Sequence, residues 1–198
     1  MIAPQDALER LRAGNARFVQ GAPNPSPQSR LDTLGPQRPF AAVLGCSDSR
    51  CPVEAIFDQG FGELFVVRVA GNVADVTQVG SLEFAVQALG VRLILVLGHQ
   101  NCGAVQAALQ RPADLPSALG SLVDLIEPAL DSLQPDPGAE PSDILLANAV
   151  AANARHTADA LRAGSPLIDQ EVAGGRVAIA SAVYAFDTGI VTFLDEGV

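Results

Sequence analysis

Two stretches of this chain are apolar at consecutive positions, "FAAVL" at residues 40 to 44 and "LILVL" at 93 to 97. A third, "LFVVRVA" from Leu64 to Ala70, departs only at Arg68. A strand with one face in water alternates apolar and polar residues, so continuous runs of this length belong to strands covered on both faces. Alternating with helical segments, such strands point to a parallel sheet, where crossover helices lie above and below. Each run is bounded by polar residues, proline or glycine, which limits it to strand length.

Helical spacing fills the intervals. Ala7 to Val19 carries Leu8, Leu11, Ala16 and Phe18 in a broadly helical pattern, and "GAPNPSPQSR" then breaks it with three prolines. "CPVEAIFDQG" reads as a short helix with Pro52 near its first turn. Val76 to Leu89 is a helix stopped at Gly90, another begins at Ala104, and Asp143 to Ala163 forms a long one with Ser142 as N-cap and Gly164 as stop. Prolines at 112, 116, 128, 135, 137 and 141 restrict the stretch between to short helices and loops. "GRVAIASAVYAF" and "IVTFL" flank Asp187-Thr188-Gly189 and form a hairpin. The expectation is an α/β fold with a mostly parallel central sheet of about four parallel strands plus one antiparallel C-terminal strand. Residues 1–198 make one domain, with residues 1–36 as an N-terminal helical arm.

Composition narrows the function. The chain has 198 residues, a net charge of −10 and only 17% charged residues. That balance argues against nucleic acid as a partner, because phosphates are repelled. The longest apolar stretch, Val91 to Leu97, includes Arg92 and is far too short to span a bilayer. The N-terminus lacks the basic start and apolar centre of a secretion signal, so a cytoplasmic location is expected. Mean hydropathy is +0.27, which agrees with apolar surface buried between subunits. Cys46, Cys51 and Cys102 are an odd number for a disulfide framework, leaving metal ligation, catalysis or packing as their uses.

The first apolar run ends in "GCSDSR", which sets Cys46, Asp48 and Arg50 on alternate positions, along one side of an extended segment. The "LILVL" run ends in "GHQNCGA", with His99 and Cys102. In open α/β sheets, sites form outside the carboxyl ends of strands. If the two strands are neighbours, Cys46, His99 and Cys102 converge on one point. Two thiolates and an imidazole leave a fourth coordination position open, the pattern of a catalytic zinc site. Packing is the default reading for any one of these residues alone, since Cys is among the most buried residue types, and the coincidence at two strand ends favours the metal.

The paired motifs C-x-D-x-R and H-x-x-C resemble those of the β-class carbonic anhydrases. "DQGFGELFVVRVAGN", "SLEFAVQALGVRLILVLGH" and "VYAFDTGIV" resemble further segments of that family. The resemblance implies Zn²⁺ held by Cys46, His99 and Cys102, with water, hydroxide or Asp48 in the fourth place. It implies attack of zinc hydroxide on CO₂ to give bicarbonate and a proton. Asp48 would accept the hydroxide's hydrogen bond, and Arg50 would hold Asp48 off the metal. Two thiolates cancel the charge of the zinc, so activity is expected to rise on the alkaline side of neutrality.

By the same resemblance, Gln37 reaches the substrate across a dimer interface, while Phe65, Ala70 and Phe84 line an apolar CO₂ pocket. Core packing remains an equal reading for Phe65. Gly103 would allow a helix start to pack closely against the metal loop. A bicarbonate-regulated subset of the family has tryptophan where this chain has Val43, although Arg68 and Tyr184 stand at the other two positions. Regulation of that kind is therefore not expected, and Arg68 is read as half of a structural ion pair. A homodimer or homotetramer is implied.

Hydrolysis of CS₂ or COS on the same scaffold is the nearest alternative, and a non-catalytic zinc-binding module is another. The intact Asp48–Arg50 pair argues against the module. A redox pair of Cys46 and Cys51 has the wrong spacing. Cys51 is read as a packing residue, His156 as a surface histidine, and Asp58, Glu63 and Glu83 as structural or surface charges. Asp75 is read as a helix cap.

Overall fold

A computed structural model describes residues 2–24, 27–133 and 141–194. Pro25 and Ser26 of the proline-rich connector, and the prolines at 135 and 137, lie outside the described residues. The strands among the described residues are β1 (Ala41–Gly45), β2 (Leu64–Arg68), β3 (Leu93–His99), β4 (Ala178–Tyr184) and β5 (Val191–Phe193). They form one sheet in the order β2-β1-β3-β4-β5. β1 to β4 run parallel, and β5 returns antiparallel to β4. The expected sheet is therefore the observed one.

The uninterrupted apolar runs have the predicted consequence. Every residue of β1 and β3 is buried, whereas β2, at one edge of the sheet, is half-buried along most of its length. Among the described residues, seven α-helices surround the sheet: α1 (Pro4–Gln20), α2 (Val53–Ile56), α3 (Val76–Gln87), α4 (Gly103–Gln110), α5 (Ser117–Ile126), α6 (Asp143–Gly164) and α7 (Pro166–Ala173). On one face, Ala7, Leu8 and Leu11 of α1 join Val53, Ile56 and Phe57 over Val43 and Leu95. The N-terminal helix thus packs on the sheet of its own chain. On the other face, Leu82 and Ala85 of α3 and Leu161 of α6 cover Leu44, Ile94 and Val96. Burial of the large aliphatic side chains contributes about 1.5–3 kcal/mol apiece.

Caps set several boundaries as the sequence implies. Asp75 accepts from the Val76 N–H at 2.7 Å, and Ser142 accepts from the Leu145 N–H at 3.2 Å. Gly90 takes φ +71° after α3. Helix α7 has no counterpart among the expected elements. Its start is fixed by Ser165, which closes α6 and accepts from the Ile168 N–H at 3.1 Å. The same hydroxyl donates to Glu83 at 2.5 Å, which gives that carboxylate a structural partner. Asp58 pairs with Arg17, and Glu63 pairs with Arg10.

The strand order fixes where a site can form. β2 lies on one side of β1 and β3 on the other, so the chain reverses direction across the sheet between β1 and β3. A crevice opens at the carboxyl ends of such a pair. Gly45 is aligned with Leu97, which brings Cys46 and His99 to that same point.

Candidate metal centre

Cys46 directly follows β1, His99 is the last residue of β3, and Cys102 precedes α4 as its N-cap. All three are buried, and their ligand atoms lie within 4.8 Å of one another. His99 Nδ1 is 2.9 Å from the Gln100 carbonyl. That contact assigns the proton to Nδ1 and turns the Nε2 lone pair toward the two sulfurs. Nε2 is buried without a hydrogen-bond partner. A buried lone pair facing two thiols is a costly arrangement for a packed core, and it is the donor set of a three-ligand zinc site.

A hydrogen bond from Cys102 is the main influence that pulls the Cys46 thiol down to about 4, against burial, while the same contact and burial push Cys102 up. Burial works to lower His99, yet contacts with the Cys46 sulfur and the Gln100 carbonyl carry it upward. The Gly71 N–H also donates to Cys46 Sγ at 3.3 Å. Gly71 has φ +72° in the single-turn helix Ala70–Asn72, and a Cβ there would stand 2.8 Å from Ile126 Cδ1. Only glycine fits that position comfortably.

Asp48 is fastened twice by Arg50. Nε donates to Oδ1 at 3.0 Å and Nη2 to Oδ2 at 2.8 Å, and the Arg50 backbone N–H adds a contact to Oδ1 at 2.9 Å. The guanidinium contact is the main reason that the carboxyl is held well below the usual carboxylate range. Asp48 Oδ2 lies 3.9 Å from His99 Nε2, so the carboxylate borders the cluster.

Other predicted residues fall at varied distances from this chemistry. Ala70 adjoins Gly71 and is half-buried. The rings of Phe65 and Phe84 lie 6.2 Å apart, with Phe65 half-buried and Phe84 49% exposed. Gln37 is exposed in the connector before β1. Two expectations need correction. Gly103 is exposed, and a Cβ there would meet nothing within 4 Å, so close packing is not the reason for glycine. Arg68 donates instead to backbone, from Nε to the Cys46 carbonyl at 2.9 Å and from Nη2 to the Asp48 carbonyl at 2.6 Å. It braces the loop that bears both residues. Tyr184 is buried beside His99 in the β3–β4 register, and Val43 is fully buried in the core.

Gln100, Asn153 and Phe186 support the site without a sequence signal that marks them. Gln100 ties His99 to β4, since its N–H donates to the Tyr184 carbonyl at 2.8 Å. Asn153 on α6 donates to the Gly71 carbonyl at 2.8 Å. Phe186 lies under Arg50, with the guanidinium carbon 4.0 Å from the ring centroid. Cys51 is buried in the aliphatic core and pushed up to about 12 by burial, as a packing residue would be. His156 is half-buried on α6.

A mostly parallel sheet with a Cys-His-Cys cluster at its switch point and a carboxylate–guanidinium pair beside it is a scaffold able to hold a catalytic metal. The family model for carbonic anhydrase matches residues 41–191. The carbonic anhydrase 2 of Mycobacterium tuberculosis is 39% identical over 204 residues, covering 98% of this chain and 94% of that protein. A carbonic anhydrase of Mycolicibacterium smegmatis is 47% identical over 135 residues, covering 66% and 65%. Among solved structures, the β-carbonic anhydrase CafA of Aspergillus fumigatus superposes with a TM-score of 0.71 at 26% identity, covering 96% of this chain and 89% of that one. The chain belongs to the β-carbonic anhydrase family, whose members are lyases.

Proposed function

We propose that this protein interconverts CO₂ and bicarbonate with Zn²⁺ held by Cys46, His99 and Cys102. The observation that carries the proposal is the convergence of those three buried side chains beside an Asp48 carboxylate held on both oxygens by Arg50. A zinc ion bound there supplies Lewis acidity, which brings the ionisation of a water ligand toward neutral pH. His99 offers Nε2 because Gln100 holds its Nδ1, and the Gly71 N–H tempers the charge on Cys46. Asp48, kept ionised by Arg50, accepts a hydrogen bond from the attacking oxygen and orients it toward carbon. Arg50 keeps the carboxylate turned to itself and off the metal. Phe65, Ala70 and Phe84 provide the apolar wall for CO₂, and Gln37 completes the pocket from a second subunit.

The protein acts as a homodimer or homotetramer. Exposed Phe84, Phe61, Leu31 and Leu34 supply apolar surface that such an assembly would cover. Among the described residues, no helix is long and apolar enough to cross a membrane.

Stopped-flow CO₂ hydration with a pH indicator at pH 8.5, on protein of measured zinc content, tests the reading. Hydration that is lost in Asp48→Ala supports it. Stoichiometric zinc without hydration overturns it and directs the search to CS₂ and COS. A chain that binds no zinc removes the site.

A further inference from the structure

Phe186 lies in the turn between β4 and β5, and its ring touches both halves of the site. The Arg50 guanidinium carbon is 4.0 Å from the ring centroid, and the His99 ring is 5.2 Å away on centroids. Tyr184 meets it edge-on at 5.5 Å. The ring is itself held in place. The Phe186 N–H donates to Gln100 Oε1 at 2.9 Å, and the Gln100 N–H donates to the Tyr184 carbonyl at 2.8 Å. The Gln100 carbonyl in turn faces His99 Nδ1 at 2.9 Å. One residue thus orients a metal ligand with its backbone and anchors the Phe186 backbone with its side chain.

Arg50 needs such a support. Its side chain is 57% exposed, and an exposed ion pair alone holds two flexible side chains weakly. The contacts to Asp48 fix one edge of the guanidinium and leave its plane free to swing about that edge. An aromatic face at 4.0 Å removes this freedom and adds cation–π attraction. We propose that Phe186, anchored by Gln100, is a positioning residue that acts through Arg50 to hold the Asp48 carboxylate in its catalytic orientation. The inference rests on the function proposed above.

The zinc-loaded protein is compared with Phe186→Leu, Phe186→Tyr, Arg50→Ala and the Leu/Ala double variant, by CO₂ hydration and by the ¹⁵N–¹H heteronuclear NOE of the Arg50 Nε–H. Leucine keeps apolar contact with His99 and Tyr184 but has no π face. It is expected to lower kcat/KM about two- to fivefold, the range of an exposed cation–π contact. Tyrosine, which keeps the face, restores the wild-type rate. The leucine loss disappears in the Arg50→Ala background, and the Arg50 NOE falls in Phe186→Leu while the fold's melting temperature holds. Equal losses in both backgrounds, or an Arg50 Nε–H as rigid in Phe186→Leu as in the wild type, overturn the proposal. Gln100→Met removes only the Oε1 anchor and gives a second route should Phe186→Leu fail to fold. It is expected to lower the Arg50 NOE in the same way, and an unchanged value overturns the proposal equally. Wild-type protein with full zinc and no hydration would defeat the proposed function, while the NMR measurement would still decide whether Phe186 holds Arg50.

Discussion

Asn153 donates its Nδ2–H to the Gly71 carbonyl at 2.8 Å, and the Gly71 N–H donates to Cys46 Sγ at 3.3 Å. The long helix α6 is thereby linked through one glycine to a candidate metal ligand more than a hundred residues earlier in the chain. Asn153 is 1% exposed, so its loss cannot be made good by bulk water.

Asn153→Ala leaves the Gly71 carbonyl buried without this donor, at an expected stability cost of about 1–3 kcal/mol. Gly71 then holds its N–H less firmly toward Cys46, and zinc affinity should fall at least tenfold, the lower end for lost hydrogen-bond support of a metal ligand. Denaturant unfolding and competition with a chromophoric chelator measure the two effects separately. Unchanged zinc affinity with lowered stability would confine Asn153 to folding.

The lowered pKa of Asp48 has a pH consequence with a definite sign. Its main cause is the Arg50 hydrogen bond, which favours the ionised form in the folded state. A carboxyl lowered on folding contributes stability above its ordinary range near pH 3.9, and that stability fades as pH falls through the lower folded value. The stability difference between the wild-type chain and Asp48→Asn, both stripped of metal, should therefore stay level from pH 7 to about 5 and shrink at lower pH. A difference that stays level below pH 5 as well, or that grows as pH falls, would show that Arg50 does not hold the carboxylate.

Cys51 separates packing from redox chemistry. It is 3% exposed among aliphatic side chains, and burial pushes its thiol up to about 12. A neutral, enclosed thiol is a poor nucleophile. In native protein at pH 8, iodoacetamide should leave Cys51 unmodified, as shown by peptide mass mapping. Cys51→Val should keep zinc binding and cost less than about 1.5 kcal/mol, as near-isosteric apolar exchanges do. Rapid alkylation of Cys51 would return the redox reading to consideration.

The parts of the fold that were legible in the sequence are those governed by local pattern. The apolar runs announced β1 and β3, and the residues that end those runs, Cys46 and His99, were legible because strand order in parallel sheets places sites at carboxyl ends. Asp75 and Ser142 were legible as caps because capping is settled within a few residues. Arg68 was misread since its partners are carbonyls of Cys46 and Asp48, groups present at every position and therefore invisible as sequence signals. Phe186, Gln100 and Asn153 escaped for a related reason. Their partners lie 82 to 86 residues away for Asn153 and Gln100, and an aromatic ring or amide gives no local sign of what it will meet. A pairing such as "A-F-D-T-G" with an upstream amide could be sought only once β3 and β4 were known to be adjacent.

Phe84 offers the most direct test of assembly. It is 49% exposed at α3, with its ring 6.2 Å from that of Phe65 on the edge strand β2. If a second subunit covers it, Phe84→Glu places a charge in an apolar interface and should shift the sedimentation-equilibrium mass toward that of a monomer of 20.4 kDa. Hydration activity should fall with it if Gln37, exposed on its own chain, serves the site across the interface as proposed. Phe84→Tyr keeps the ring and should keep the assembly. A wild-type chain that sediments as a monomer yet hydrates CO₂ at the same rate would remove Gln37 from the site and leave Cys46, His99, Cys102, Asp48 and Arg50 as a centre complete within one chain.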